Sequence, residues 1–210
     1  TTLFRSRLSF TGEAYIRDTK NMLTAGKKLP AAYGATVPKA NAADLRTKGY
    51  ELSLSWRDMF QLAGKPFSYN VTATFSDYVT DITRFDNPTK ILSDRYEGQR
   101  WGEIWGYVTE GIFQSEAEVE AHADQSLYET GAFKFGVGDI KYKDLNGDGK
   151  ITYGSSTVDD PGDMKVIGNS MPNYEYSFNI GLDYKGFDFS TFFQGVGKRD
   201  YWAYGNVAIP

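Results

Sequence analysis

The stretch "YEYSFNIGLDYKGFDFSTFFQGV", residues 174–196, decides the fold. From Tyr174 to Tyr184, the apolar Tyr176, Phe178, Ile180 and Leu182 alternate with Glu175, Ser177, Asn179 and Asp183. A side-chain period of two puts the first set on one face of an extended strand and the second on the other. Lys185 and Gly186 alone separate this run from a second, residues 187–196, whose alternation is less clean where Phe192 and Phe193 adjoin. Two residues ending in glycine have the length and chemistry of a tight hairpin turn. The stretch therefore predicts two antiparallel strands, 174–184 and 187–196.

Working outward, the same period recurs three times. Over 7–17, Leu8, Phe10, Ala14 and Ile16 oppose Ser9, Thr11, Glu13, Tyr15 and Arg17. Over 49–57, Tyr50, Leu52, Leu54 and Trp56 oppose Glu51, Ser53, Ser55 and Arg57. Over 67–77, Phe67, Tyr69, Val71, Ala73 and Phe75 oppose Ser68, Asn70, Thr72, Thr74 and Ser76. Five such strands predict an all-β chain, and two architectures satisfy the pattern. In a soluble sandwich the apolar faces pack on each other, whereas in an outer-membrane barrel they meet lipid and the polar faces line the lumen. Aromatic residues near the strand ends, among them Tyr50, Phe67, Tyr174, Tyr184 and Phe187, lean towards the girdles of a barrel. Connection lengths lean the same way. The short "DMFQLAGKP" and the Lys185–Gly186 turn fall on one rim, and the long segments 18–48 and 78–173 fall on the other. Short turns opposite long loops are the outer-membrane arrangement, and structureless loops of that length are uncommon in compact domains. Within 78–173, Ser115 followed by Glu118 forms a capping box and predicts a short helix over 116–123. "RWGEIWGYVTEGIF", residues 100–113, reads as an aromatic extended segment.

Composition narrows the function classes. Among 210 residues, 16% are aromatic and 22 are glycine, which favours strands and turns. Cysteine is absent, which excludes thiolate metal sites and a disulfide scaffold. The formal net charge is -4, and Glu110–Asp163 carries twelve acids against four bases. A nucleic-acid footprint would need a clustered basic face, so no nucleic-acid partner is expected. No run is apolar and long enough for a transmembrane helix, a test that does not reach β-barrels, whose strands cross in about 9–11 alternating residues. With one histidine and no G-x-S-x-G, zinc and triad chemistry have no support, and the chain is expected not to be an enzyme.

Five blocks carry a resemblance: "TKGYELSLSW" at 47–56, "GEIWGYVTEGIFQS" at 102–115, "GDIKYKDLNGDGKIT" at 138–152, "VIGNSMPNYEYSFNIGLDYKGFDFSTFFQGV" at 166–196 and "RDYW" at 199–202. In this order they resemble the C-terminal barrel half of the SusC/RagA-type TonB-dependent transporters. The resemblance implies antiparallel up-and-down strands of a large outer-membrane β-barrel with long extracellular loops, of which this chain is a fragment. It implies uptake of large nutrients, oligosaccharides or peptides, with a SusD-like surface lipoprotein as lid. It also implies energy from TonB, acting through a plug region missing from this sequence, as is the barrel-closing strand. The alternative from the residues alone is a secreted β-sandwich carbohydrate-binding module with a calcium-stabilised loop.

That loop is "DLNGDGKIT", residues 144–152. Asp144, Asn146 and Asp148 at alternate positions, then Gly149, reproduce the first half of an EF-hand loop, with the carbonyl of Lys150 the usual next ligand. The twelfth position is Ser155 instead of Glu, so Asp159, Asp160 or Asp163 must supply the last carboxylate. The expected set is Asp144, Asn146, Asp148, Lys150 and Asp160 around calcium; the competing reading is an Asx turn with solvated acids. Trp101, Trp105 and Tyr107 are candidates for substrate or partner contact, because exposed aromatic rings stack on sugars and pack on peptides. Arg7, Arg17, Arg57, Glu13 and Glu51 are expected on the polar strand faces. His122 is expected as a solvated residue on the short helix, and Glu116 with Glu120 as a charged helix face.

Overall fold

The computed structural model describes residues 2–3, 7–25, 34 and 36–203. Ten strands run through it: β1 Thr2–Leu3, β2 Leu8–Ala25, β3 Lys39–Leu62, β4 Lys65–Arg84, β5 Glu103–Tyr107, β6 Thr109–Ile112, β7 Ile140–Tyr142, β8 Met164–Asn169, β9 Asn173–Tyr184 and β10 Phe187–Lys198. One short α-helix, α1 Glu116–Ala121, and one 3-10 turn, Ser126–Tyr128, lie between β6 and β7 among the described residues. The large sheet has the order β1-β2-β3-β4-β9-β10, and β5-β8 and β6-β7 form two small two-stranded sheets. All pairings with an assigned strand register are antiparallel.

All five predicted strands are present, and three are much longer than their alternation predicts. β2 continues to Ala25 instead of ending near residue 17, β3 begins at Lys39 instead of 49, and β4 continues to Arg84 instead of 77. Part of the expected 18–48 loop is therefore strand, and residues 26–33 and 35 of it lie outside the described residues. The extensions are held by the ladder and by polar side chains in place of an alternating pattern. Arg84 donates to Asp44 Oδ1 and Oδ2 at 2.8 and 3.0 Å and to Asn21 Oδ1 at 3.0 Å, tying three strands together.

The β3–β4 connection shrinks to Ala63 and Gly64, with φ of 49° and 74°, and the β9–β10 turn is Lys185 and Gly186, as the sequence predicts, with φ of 55° and 81°. Two left-handed residues in succession give the turn whose twist matches the flanking strands. In α1, Ser115 Oγ accepts from Glu118 N, as a capping box requires. Glu118 reaches back to Gln114 N, one residue before the cap. The helix stops two residues short of 123, because His122 adopts an extended backbone and closes the last turn with its N–H on Val119 O.

By compactness the chain divides into two units: residues 1–20, 45–81 and 170–210, and residues 21–44 and 82–169. Among the described residues, the buried apolar side chains Ala43, Ile82, Tyr96, Phe113 and Ile151 all belong to the second. Among its described residues the first unit, the strand unit, has a sheet and no buried apolar side chain.

Candidate functional site

The sheet of the strand unit is two-faced, and its register keeps the faces apart. Across β4 and β9, Phe67 pairs Tyr184, Tyr69 pairs Leu182, Val71 pairs Ile180, Ala73 pairs Phe178 and Phe75 pairs Tyr176. Across β9 and β10, Leu182 pairs Phe189 and Phe178 pairs Phe193. The ambiguous doublet is thereby resolved: Phe193 joins the apolar face, and Phe192, opposite Asn179, lies on the polar one. The apolar face is open. Leu54 is 47% exposed, Phe178 45% and Phe189 59%, where a sandwich would bury them against a second sheet.

Aromatic rings collect in two bands on this face. Near the short turns, Phe60, Phe67 and Tyr184 form a chain of ring contacts at 5.1 and 6.0 Å, and the Tyr184 hydroxyl donates to Leu62 O at 3.1 Å. At the other end, Phe75 contacts Tyr50 at 6.0 Å and stacks on Tyr174 at 6.4 Å and 15°. Tyr50 to Phe60 and Tyr174 to Tyr184 each span ten residues. At about 3.3 Å per residue and a tilt of about 40°, ten residues rise about 25 Å, the height of the apolar band of an outer-membrane barrel.

The opposite face is hydroxylic. Ser55 and Thr72 hydroxyls bond at 2.9 Å, and Thr74 and Ser177 at 2.6 Å. Thr11, Glu13, Glu51, Ser53, Thr74 and Ser76 line one shallow depression. At the turn end, Arg7 pairs with Asp58 at 3.0 Å.

In the loop unit the three contact candidates each have an intramolecular partner. The Trp101 ring lies under the Arg95 guanidinium, 4.7 Å from its centroid. Trp105 donates its indole N–H to Glu103 Oε1 at 2.9 Å, and the Tyr96 hydroxyl donates to the same oxygen. The Tyr107 hydroxyl bonds that of Tyr128, and both rings close on Tyr142, at 5.4 and 6.3 Å. Burial first, and Glu103 second, push the Tyr96 hydroxyl well above the ordinary tyrosine range; burial first, and Tyr107 second, do the same to Tyr128. These phenols are neutral anchors at physiological pH. His122, expected in solvent, is half-buried: its Nε2 bonds Tyr142 O at 2.8 Å and its ring meets Phe113 edge-on at 5.3 Å.

The acidic loop is closed on itself. Asp144 Oδ1 accepts from Gly147 N at 2.6 Å and Oδ2 from Gly149 N at 2.8 Å. Asn146 Oδ1 accepts from Asp148 N at 2.9 Å, and Asp148 Oδ1 from Lys150 N at 2.8 Å. The Gly149 N–H first, with the Gly147 N–H among the other backbone donors, holds Asp144 below the usual carboxylate range. Asp160 is engaged elsewhere, accepting from Ser155 N at 2.9 Å and Ser155 Oγ at 2.6 Å. Among the described residues no group of three or more His, Cys, Asp or Glu could hold a metal ion. The residue the sequence undervalues is Asp163. It is fully buried, and its two oxygens accept from Leu145 N at 2.8 Å and Thr152 N at 2.7 Å, clasping the loop at both ends. In the sequence it is one of three nearby aspartates, with nothing to distinguish it.

No family profile matches the chain. Curated relatives do. The chain is 27% identical over 205 residues to TonB-dependent receptor P3 of Formosa agariphila, covering 91% of this chain and 19% of that protein. It is 25% identical over 214 residues to TonB-dependent receptor P26 of the same organism, covering 95% of this chain and 19% of that protein. Among solved structures, the RagAB peptide importer in its open-open state superposes with a TM-score of 0.64 at 17% identity, over 93% of this chain and 19% of that one. The chain thus spans about a fifth of the length of these relatives. By sequence similarity over nine-tenths of its length, and by a strand architecture shared with a solved importer, the chain is homologous to the TonB-dependent receptors and has the fold of a barrel segment of the SusC/RagA type.

Proposed function

We propose that these residues supply wall strands and extracellular loops to a TonB-dependent outer-membrane importer of large nutrients, oligosaccharides or peptides, and carry out no catalysis themselves. The observation that carries the reading is a sheet whose apolar face is exposed, in a unit whose described residues include no buried apolar side chain. In water such a face is an aggregation hazard, and in a bilayer it is the solvated state of the molecule. Under this reading the hydroxylic face lines the lumen. The loop unit meets a SusD-like lipoprotein and the cargo through what Trp101, Trp105 and Tyr107 leave exposed beside their intramolecular partners, and TonB acts through a plug outside these residues. Calcium at Asp144, Asn146, Asp148, Lys150 and Asp160 belongs to the same proposal and is supported by spacing alone. A cation there competes with the N–H groups that now occupy those oxygens, and calorimetric titration with calcium tests it.

These 210 residues contain no cysteine, so a cysteine introduced among them is identified by mapping the labelled peptide. In the full-length protein in outer membranes, Leu54→Cys, Phe178→Cys and Phe189→Cys are expected to resist a water-soluble maleimide and accept a lipid-soluble one. Ser53→Cys, Thr74→Cys and Ser177→Cys are expected to react with the water-soluble reagent. Equal labelling of the two faces, or the opposite pattern, overturns the reading.

A further inference from the structure

We propose that the Asp144 carboxylate is a chemical guard: by holding the backbone nitrogens of Gly147 and Gly149, it suppresses succinimide formation at Asn146–Gly147 and Asp148–Gly149. The loop is thereby a modification site gated by its own fold. Both steps place glycine after a short Asx side chain, the sequence in which five-membered ring closure meets least steric resistance. Neither glycine has another atom within 4 Å of where a Cβ would stand, so crowding offers no protection. Both loop glycines have φ of 77°.

At Asn146 the reaction is fully specified. The Gly147 nitrogen gives up its proton and attacks Cγ of Asn146, forming the new C–N bond. The bond from Cγ to the side-chain nitrogen breaks, and that nitrogen leaves as ammonia with the proton. Water then opens the ring at one of its two carbonyls, leaving aspartate or isoaspartate. At Asp148 the Gly149 nitrogen attacks the protonated carboxyl in the same way, and the carboxyl's OH leaves with the amide proton as water.

The structure opposes each first step twice. The nitrogens that must be deprotonated are the two that donate to Asp144, at 2.6 and 2.8 Å. Deprotonating either one breaks a charge-assisted bond and sets a developing anion against a carboxylate. The electrophilic groups are held as well. Asn146 Oδ1 accepts from Asp148 N at 2.9 Å and its Nδ2 donates to Asp148 Oδ2 at 3.1 Å, and Asp148 Oδ1 accepts from Lys150 N at 2.8 Å. Each side chain is thus tied to the residue two further on, and must release that bond to turn its carbonyl carbon to the attacking nitrogen.

The test ages the full-length protein in mildly alkaline buffer with a chelator present, so that the carboxylate acts alone, beside a synthetic peptide of residues 143–152. Peptide mapping follows conversion of Asn146 to aspartate and isoaspartate. Loss of a charge-assisted bond is worth a factor of about ten or more, so the folded protein is expected to convert at least about tenfold more slowly than the peptide. Asp144→Ala is expected to bring the rate towards the peptide's. Asp160→Asn, which loosens the neighbouring turn without touching Gly147, is expected to leave it at the parental value. A folded protein that converts as fast as the peptide, an Asp144→Ala rate equal to the parent's, or an equal acceleration by Asp160→Asn overturns the proposal.

Discussion

Gly195 on β10 shows how one residue's requirement is set by its neighbour across the sheet. It pairs with Tyr176, and a Cβ at Gly195 would stand 2.5 Å from Tyr176 Cζ and Oη, so the ring lies over the glycine. A methyl group must displace the ring from its cross-strand seat. Only the end of the Tyr176 ring, on an open face, has to shift, so the cost sits at the low end of overpacking, about 1 kcal/mol. Gly195→Ala is therefore expected to lower the melting temperature slightly, read by heat-modifiable gel mobility. An unchanged melting temperature would mean that the ring has another place to go. Nothing local to "FFQGV" announces this role, because it arises from the β9–β10 register. Phe192 and Phe193 are ambiguous in the sequence for the same reason and are separated only by Asn179 and Phe178 opposite them.

At the scale of elements, strand existence was legible from period two, and strand length was not. Alternation marks a segment only while its two faces meet different surroundings. On the proposed reading that is the membrane interval, and beyond it the strands meet water at some positions and loop packing at others, as at the buried Ile82. There the pattern lapses, as in "TDITR" of β4, while the ladder and the Arg84 cluster continue the strand. The loops follow another rule, in which carboxylates cap backbone N–H groups. The Ser155 hydroxyl first, then its N–H, hold Asp160 below the usual carboxylate range, and Ser126 does the same to Asp124 through its hydroxyl and N–H. A depressed folded pKa stabilises above the unfolded value of about 3.9 and loses that contribution as pH falls through the folded value. The 124–126 and 155–160 turns are therefore expected to hold from neutral pH to about pH 4 and to open below it. Amide exchange at Ser126 and Ser155 measures this, and protection that declines already between pH 7 and pH 5 would count against it.

For the molecule as a whole, the two units draw on different sources of stability, and that difference can be measured. The strand unit relies on a hydrogen-bonded ladder and, on the proposed reading, on lipid around its apolar face. The loop unit has an ordinary buried core in which Phe113 is 1% exposed and Ile151 fully buried. The sequence made the first unit readable because its pattern is periodic. It concealed the second, whose core is assembled from distant turns: Phe113 and Asp139 joined by a backbone bond, Asp124 and Ile151 by another. Phe113→Ala removes a fully buried ring, a change that costs about 3–5 kcal/mol in a core. Only the extensions of β3 and β4 enter that core, through Ala43 and Ile82, and residues 45–81 and 170–198 belong to the other unit. The variant is therefore expected to insert into outer membranes with parental heat-modifiability. Limited proteolysis is expected to cut it within 82–169 while the sheet strands resist. Loss of membrane assembly in step with loop cleavage would show that the loop core and the sheet form one cooperative structure.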